Sequence, residues 1–138
     1  MKQIVYRTGN GLDLDQVIEL YVASTLGQRR PVEDRATMKA MLDHANLVVT
    51  AWADEKLVGI ARTLTDFSYV AYLADLAVRD SHQRRGIGRE LIRQTRAALG
   101  PKSLIVLLAA PAAVDYYPKL GFSHHPDAWI LRADDELR

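Results

Sequence analysis

The chain has 138 residues, of which 49% are hydrophobic and 25% charged, with a formal net charge of +1 and no cysteine. A domain of this size buries about 68% of its unfolded surface, enough for a core without disulfides or metals. The composition excludes disulfide scaffolds, thiolate nucleophiles and cysteine-based zinc sites, and the near-neutral charge gives no global argument for nucleic acid or membrane binding.

Residues 1–138 are expected to form one domain, cytoplasmic in setting, since no apolar run approaches the ~20 residues that span a bilayer. The start, Met1-Lys2-Gln3-Ile4-Val5-Tyr6, lacks the apolar core of a signal peptide and reads as a first strand. After Gly9-Asn10-Gly11, Asp13 or Asp15 can cap a helix that places Val17, Ile18, Tyr21 and Val22 on one face and stops at Gly27. Gln28-Arg29-Arg30-Pro31 reads as a loop, its basic pair more often solvated than substrate-binding. Asp34 caps a second helix with Met38, Met41 and Leu42 inward, and Asn46 breaks it. Residues 47–52 and 57–64 flank Asp54-Glu55 as an antiparallel hairpin, and 69–78 form a further strand.

A helix beginning near Gly86 carries Ile87, Leu91, Ile92 and Leu99 inward and Arg89, Arg93 and Arg96 outward, and Gly100-Pro101 ends it. The apolar run 104–108 suits a strand covered on both faces. Pro111 opens a short helix that Pro118 ends or kinks, and a last strand is expected over 128–132. One strand–loop–helix–strand unit inside a largely antiparallel context defines an α+β, or mixed-sheet α/β, domain.

The chemistry starts at the turn before that last long helix. Its first amides lack intrahelical partners and lie at the positive end of the helix dipole, so a phosphate placed there gains several N–H bonds. Gly86 and Gly88 remove side-chain obstruction, and Arg84 and Arg85 add charge. A tight structural loop would use the same two glycines. Leu91 stands where a dinucleotide fingerprint needs its third glycine, and no Gly-Lys-Ser/Thr of a Walker loop is present.

Gln83-Arg84-Arg85-Gly86-Ile87-Gly88 resembles the Gln/Arg-x-x-Gly-x-Gly/Ala signature of the GNAT N-acetyltransferase superfamily, and Tyr117-Pro118-Lys119-Leu120-Gly121-Phe122 resembles its Tyr-x-Lys-x-Gly-Phe motif. The element order is similar over nearly the whole chain. The resemblance implies a mixed, mostly antiparallel sheet of six to seven strands with about four helices, whose splayed central strands bind CoA. It implies acetyl-CoA as cosubstrate, with no metal, and cofactor contacts at Leu76, Val78, Gln83, Arg84, Arg85, Gly86, Ile87, Gly88 and Arg89. It also implies that Tyr117 protonates the departing thiolate, because a phenol with a pKa near ~10 keeps its proton at neutral pH.

Two departures stand against the family pattern. Pro118 bears on the aim of Tyr117, and Ala109-Ala110-Pro111-Ala112 offers no polar side chain where the family often has asparagine. Asp75 is the best protein candidate for the base that takes the amine's proton, or else a structural anion at a strand bulge. Arg62 and Asp66 are candidates to bind substrate, or to form an ion pair, and the loop Arg29-Arg30-Pro31-Val32-Glu33-Asp34 is expected to help shape the acceptor side. His124 and His125 are a poor metal pair, since adjacent strand residues face opposite ways. The expected activity is direct acetyl transfer in a ternary complex to a primary amine of a small molecule. A protein or peptide amine and a non-catalytic acyl-CoA sensor are the alternatives. No nucleic acid or membrane partner is expected, and a homodimer is a frequent arrangement in this family.

Overall fold

The computed structural model describes residues 3–138, so Met1 and Lys2 of the expected first segment lie outside the described residues. The chain divides into two compact units, Met1–Leu108 and Ala109–Arg138. The first holds β1 (Ile4–Thr8), α1 (Leu14–Val22), α2 (Arg35–Asp43), β2 (Leu47–Ala53), β3 (Lys56–Thr65), β4 (Val70–Val78), α3 (Ile87–Ala97) and β5 (Leu104–Val106). Its sheet runs β1-β2-β3-β4-β5, antiparallel until the last pair, which is parallel. The α+β class therefore stands, with five strands among the described residues where six to seven were expected.

Helix ends follow their caps. Asp13 accepts from the Asp15 amide at the start of α1, and Asp34 accepts from the Thr37 amide and hydroxyl at the start of α2. In α1 the inward face is Val17, Leu20 and Tyr21, the i, i+3, i+4 set; Val22, expected inward, is exposed. The helix ends at Val22, before Gly27, because Ser24 caps a separate 3-10 turn over Thr25–Arg29. Gly27 belongs to that turn. A Cβ there would lie 2.6 Å from the Tyr21 carbonyl oxygen, so the close approach of the turn to α1 requires glycine.

Helices α1 and α2 bury Leu20, Met38 and Leu42 with Val48, Ile60 and Ala77 on one sheet face. Helix α3 covers the other, where a Cβ on Gly59 would meet Leu91 Cδ1 at 3.1 Å and Ile87 Cγ2 at 3.2 Å. Strand β5 departs from expectation. It pairs only over Leu104–Val106, and Leu104, Val106 and Leu108 are half exposed instead of covered on both faces.

The second unit contains a 3-10 turn, Pro111–Ala113, and the short α4 (Tyr116–Lys119). Tyr117 packs edge-on against Tyr116 and Phe122, and its carbonyl accepts the Leu120 and Phe122 amides. The strand expected over 128–132 does not form. Trp129, Ile130 and Leu131 have strand-forming side chains but no ladder partner there, and Trp129 is 93% exposed.

The two close-packed glycines give unequal expectations. Gly59→Ala meets two side-chain methyls and the Ala51 Cβ, none closer than 3.1 Å, and costs about 1 kcal/mol, the low end of overpacking. Gly27→Ala meets rigid backbone and costs about 3 kcal/mol or more. Urea unfolding measures both, and equal losses would contradict this account of the 3-10 turn.

Candidate active site

The site begins with a slip of register. Arg62 pairs with Asp75 but Thr63 pairs with Leu73, so Ala74 is an extra residue in β4. Such a bulge bends its strand and re-aims the residues beside it. Strand β4 pairs with β5 only through Val70, Ala71 and Tyr72. Among the described residues β4 has no strand neighbour on that side from Leu73 onward. The Arg79 amide donates to the Val58 carbonyl at 2.8 Å, so the two-residue alternation of the ladder turns the backbone polar groups of Leu76 and Val78 away from β3. These are the two positions expected to pair with pantetheine. Gln83 Nε2 donates to the Val78 carbonyl at 3.1 Å, holding the next loop against this edge.

That loop runs from Arg79 to the start of α3. Arg84 and Gly86 both have positive φ, 63° and 79°. Gly86 is the cap of α3 and supplies no side-chain cap bond, so the helix-opening amides at 87–89 keep their donors for an external acceptor. A Cβ on Gly86 would meet nothing within 4 Å, so the space before the helix is open. Gln83, Arg84, Arg85 and Arg89 are exposed around it, while Ile87 and Gly88 are buried in the base of the helix. His82 lies beside the loop with a lowered pKa, first because it is partly buried and then because Arg85, Arg79 and Lys56 repel a proton there. Farther along, Glu90 accepts from Arg93 and Gln94, which hold its carboxyl down to about 2.

Asp75 occupies the sheet face toward α1 and is 1% exposed. Its Oδ2 accepts from the Tyr21 hydroxyl at 2.6 Å and from Arg62 Nε at 2.6 Å, and its Oδ1 accepts from Arg30 Nε at 2.5 Å. Burial alone would raise its pKa, but the charge and hydrogen bond of Arg62, with the Tyr21 bond and Arg30, bring it below the ordinary carboxylate range. Tyr21 shifts the opposite way, well upward, because it is buried beside that carboxylate. Asp75 is thus an anion with both oxygens engaged. That environment opposes the role of proton acceptor expected for it and supports the structural alternative.

The two expected substrate contacts also have other work. Arg62 is buried, spends Nε on Asp75 and donates Nη1 to the Met41 carbonyl. Asp66 accepts the amides of Ser68, Tyr69 and Val70 at 2.8–3.1 Å, which closes the β3–β4 turn and lowers its pKa. The two do not pair with each other. Sequence reasoning placed Arg30 in a loop expected to shape the acceptor side but missed its bonds to β4, reading its charge as solvated, and it missed the hydroxyl of Tyr21, read only as part of an apolar face. It also missed the Arg79 fork on Glu19, at 2.7 and 2.5 Å, which ties the end of β4 to α1. A tyrosine on an inward helix face offered one signal, because a buried phenol needs a polar partner.

Tyr117 is half-buried, and burial first, then Tyr116, raises its pKa, so its phenol keeps its proton at neutral pH. No group of three or more histidine, aspartate or glutamate side chains among the described residues could hold a metal ion. No helix among them is long and apolar enough to cross a membrane.

An open strand edge that leads into an uncapped helix N-terminus offers main-chain ladder groups and, beyond them, amide donors at the positive end of a helix dipole. The family model for the acetyltransferase (GNAT) domain matches residues 23–130, and the chain belongs to that family. An uncharacterized N-acetyltransferase, ycf52, of Pyropia yezoensis is 33% identical over 107 residues, 72% of this chain and 59% of its own length. Serotonin N-acetyltransferase 2, chloroplastic, of Oryza sativa subsp. japonica is 31% identical over 133 residues, 90% of this chain and 63% of its own. The chain thus spans about three fifths of the length of these relatives. Among solved structures, an aminoglycoside N-acetyltransferase in complex with CoA superimposes with a TM-score of 0.73 at 20% identity, covering 97% of each chain, a likeness of fold.

The Asp75 cluster has a stability signature. A carboxyl with a depressed folded pKa stabilises the fold above its unfolded value, near ~3.9, and that contribution is lost as pH falls through the folded value. Asp75→Asn leaves two guanidinium groups without their anion and costs about 3–5 kcal/mol at pH 7. Urea unfolding from pH 7 down to pH 3 should show the gap between wild type and variant narrowing below ~4. A constant gap would contradict an ionised, paired Asp75.

Proposed function

We propose that this chain is an acetyl-CoA-dependent N-acetyltransferase acting on a primary amine of a small molecule. The observation that carries the reading is the β4 edge left open beyond Tyr72, followed directly by the uncapped N-terminus of α3. Family membership supports it. The residues present fit the cosubstrate: the main-chain groups of Leu76 and the N–H of Val78 offer ladder bonds to its amide arm, while the amides at 87–89, with Arg84, Arg85 and Arg89, suit its pyrophosphate. Gln83 holds the loop in place through Val78 and Asp80. When bound, acetyl-CoA supplies an acyl group activated as a thioester.

The proton steps fall to this chain and to solvent. Tyr117 holds a proton at neutral pH and, by its motif, is the donor to the thiolate. Water takes the amine's proton, because Asp75 is bound by three donors and its affinity for a proton is reduced. Asp75 enters instead as the anion that fixes Arg30 and Arg62 around the bulge. The serotonin N-acetyltransferase of rice, 31% identical over 90% of this chain, favours an arylalkylamine as the first acceptor to try.

Acetyl-CoA-dependent thiol release with serotonin, polyamines, amino acids and peptides tests the reading. Release with a small amine is expected, and tight acetyl-CoA binding with no release across the panel would favour a sensor. Tyr117→Phe should lower kcat by about a hundredfold, within the range of general acid catalysis, while acetyl-CoA affinity stays unchanged. Unchanged kcat would remove Tyr117 from the proton step. NMR titration of His82 should show its midpoint rising when CoA is added, because the phosphates offset Arg85; no rise would place the phosphates elsewhere.

A further inference from the structure

Arg30 follows the 3-10 turn Thr25–Arg29 and reaches across to the bulge in β4. It makes three bonds of different kinds. Nε donates to Asp75 Oδ1 at 2.5 Å, Nη2 to the carbonyl of Ala74 at 2.9 Å, and Nη1 to the carbonyl of its neighbour Arg29 at 2.8 Å. Ala74 is the extra residue of the bulge, so its carbonyl gains from Arg30 a bond at the place where the ladder is disrupted. The third bond folds the side chain back on its own segment, so the strand and the turn are joined by one rigid, planar group.

The cluster has a built-in asymmetry. Arg62 and Tyr21 hold Asp75 from β3 and α1, elements already fixed by the sheet and the core, and both are buried. Arg30 comes from a connecting segment, and its side chain keeps 24% of its surface. Removing Arg30 therefore leaves the carboxylate with two donors and the fold with its core, while the segment 24–34 loses its bonds to β4. We propose that Arg30 is a positioning residue that latches the segment 24–34 to the β4 bulge and thereby shapes the acceptor-amine side of the active site. The inference rests on reading the open β4 edge as the acetyl-CoA site, because an amine approaching the acyl group there on the Asp75 face meets this segment at the bulge.

The latch depends on geometry more than on charge. A lysine ammonium is a compact point charge and does not reproduce a fork spread over a carboxylate and a carbonyl. Arg30→Gln and Arg30→Lys should therefore behave alike. In each, hydrogen exchange of the segment 24–34 should speed up by about tenfold relative to wild type, in line with the loss of a hydrogen bond to a charged group, while exchange in β2 and β3 is unchanged. With the amine that turns over best in the release screen, the acceptor KM should rise by about tenfold and the acetyl-CoA Kd should stay within about twofold. Full recovery by Arg30→Lys, or unchanged exchange in 24–34, would overturn the latch. An equal loss of acetyl-CoA affinity would move Arg30 from the acceptor side to the cofactor side and overturn it as well. If the wild type releases no CoA with any amine, the activity itself fails, and the exchange measurement still decides whether the latch exists.

Discussion

The carboxylate of Asp75 is the constraint on which the first unit depends. It is buried, ionised and held by Tyr21, Arg62 and Arg30, which belong to α1, to β3 and to the segment between α1 and α2. A buried ion pair of this kind adds little net stability compared with apolar packing, since desolvation offsets most of the attraction. Its effect is geometric. Asp75, removed, leaves the guanidinium groups of Arg62 and Arg30 without their anion, so the three elements are tied to one another at a single point. That point is the bulge at Ala74, beyond which β4 pairs no further with β5. One local feature thus turns Asp75 inward and leaves the outer edge of β4 open.

The open edge and the loop after it divide recognition between neutral and charged groups. Main-chain N–H and C=O at Leu76, with the N–H of Val78, suit an extended amide, a neutral partner that adds to a sheet at low cost. The start of α3 offers amides at the positive end of a helix dipole, with arginines beside them, which suits phosphate. His82 reports that field, since its pKa is held down by burial and by Arg85. Glu90 in the same first turn is paired with the Arg93 guanidinium, which offsets its repulsion of an anion. The close approach of Gly59 to Leu91 and Ile87 sets how close α3 lies to the sheet, and with it where these amides stand.

Local signals in the sequence carried much of this. Asp13 and Asp34 marked helix starts, Asp54-Glu55 marked the β2–β3 turn, and Gln83 to Gly88 marked the loop before α3. Each depends on neighbours within a few residues, which is why each is legible. The Asp75 cluster joins residues 13, 45 and 54 positions apart, and no local pattern encodes such a meeting. Arg30 beside Arg29 looks like an ordinary solvated pair, and only the fold separates the exposed one from the one that bonds to β4. Residues 128–132 show the reverse case: strand-like composition without a partner edge gives no strand.

The central claim is that the edge of β4 beyond Tyr72 and the first turn of α3 bind one ligand, acetyl-CoA. Amide hydrogen exchange resolved by NMR, with and without acetyl-CoA, tests it most directly. The account predicts new protection at Leu76 and Val78 together with Gly88 and Arg89, and little change across β1 and β2. Protection confined to another surface, or binding that leaves the β4 edge exchanging as before, would contradict it.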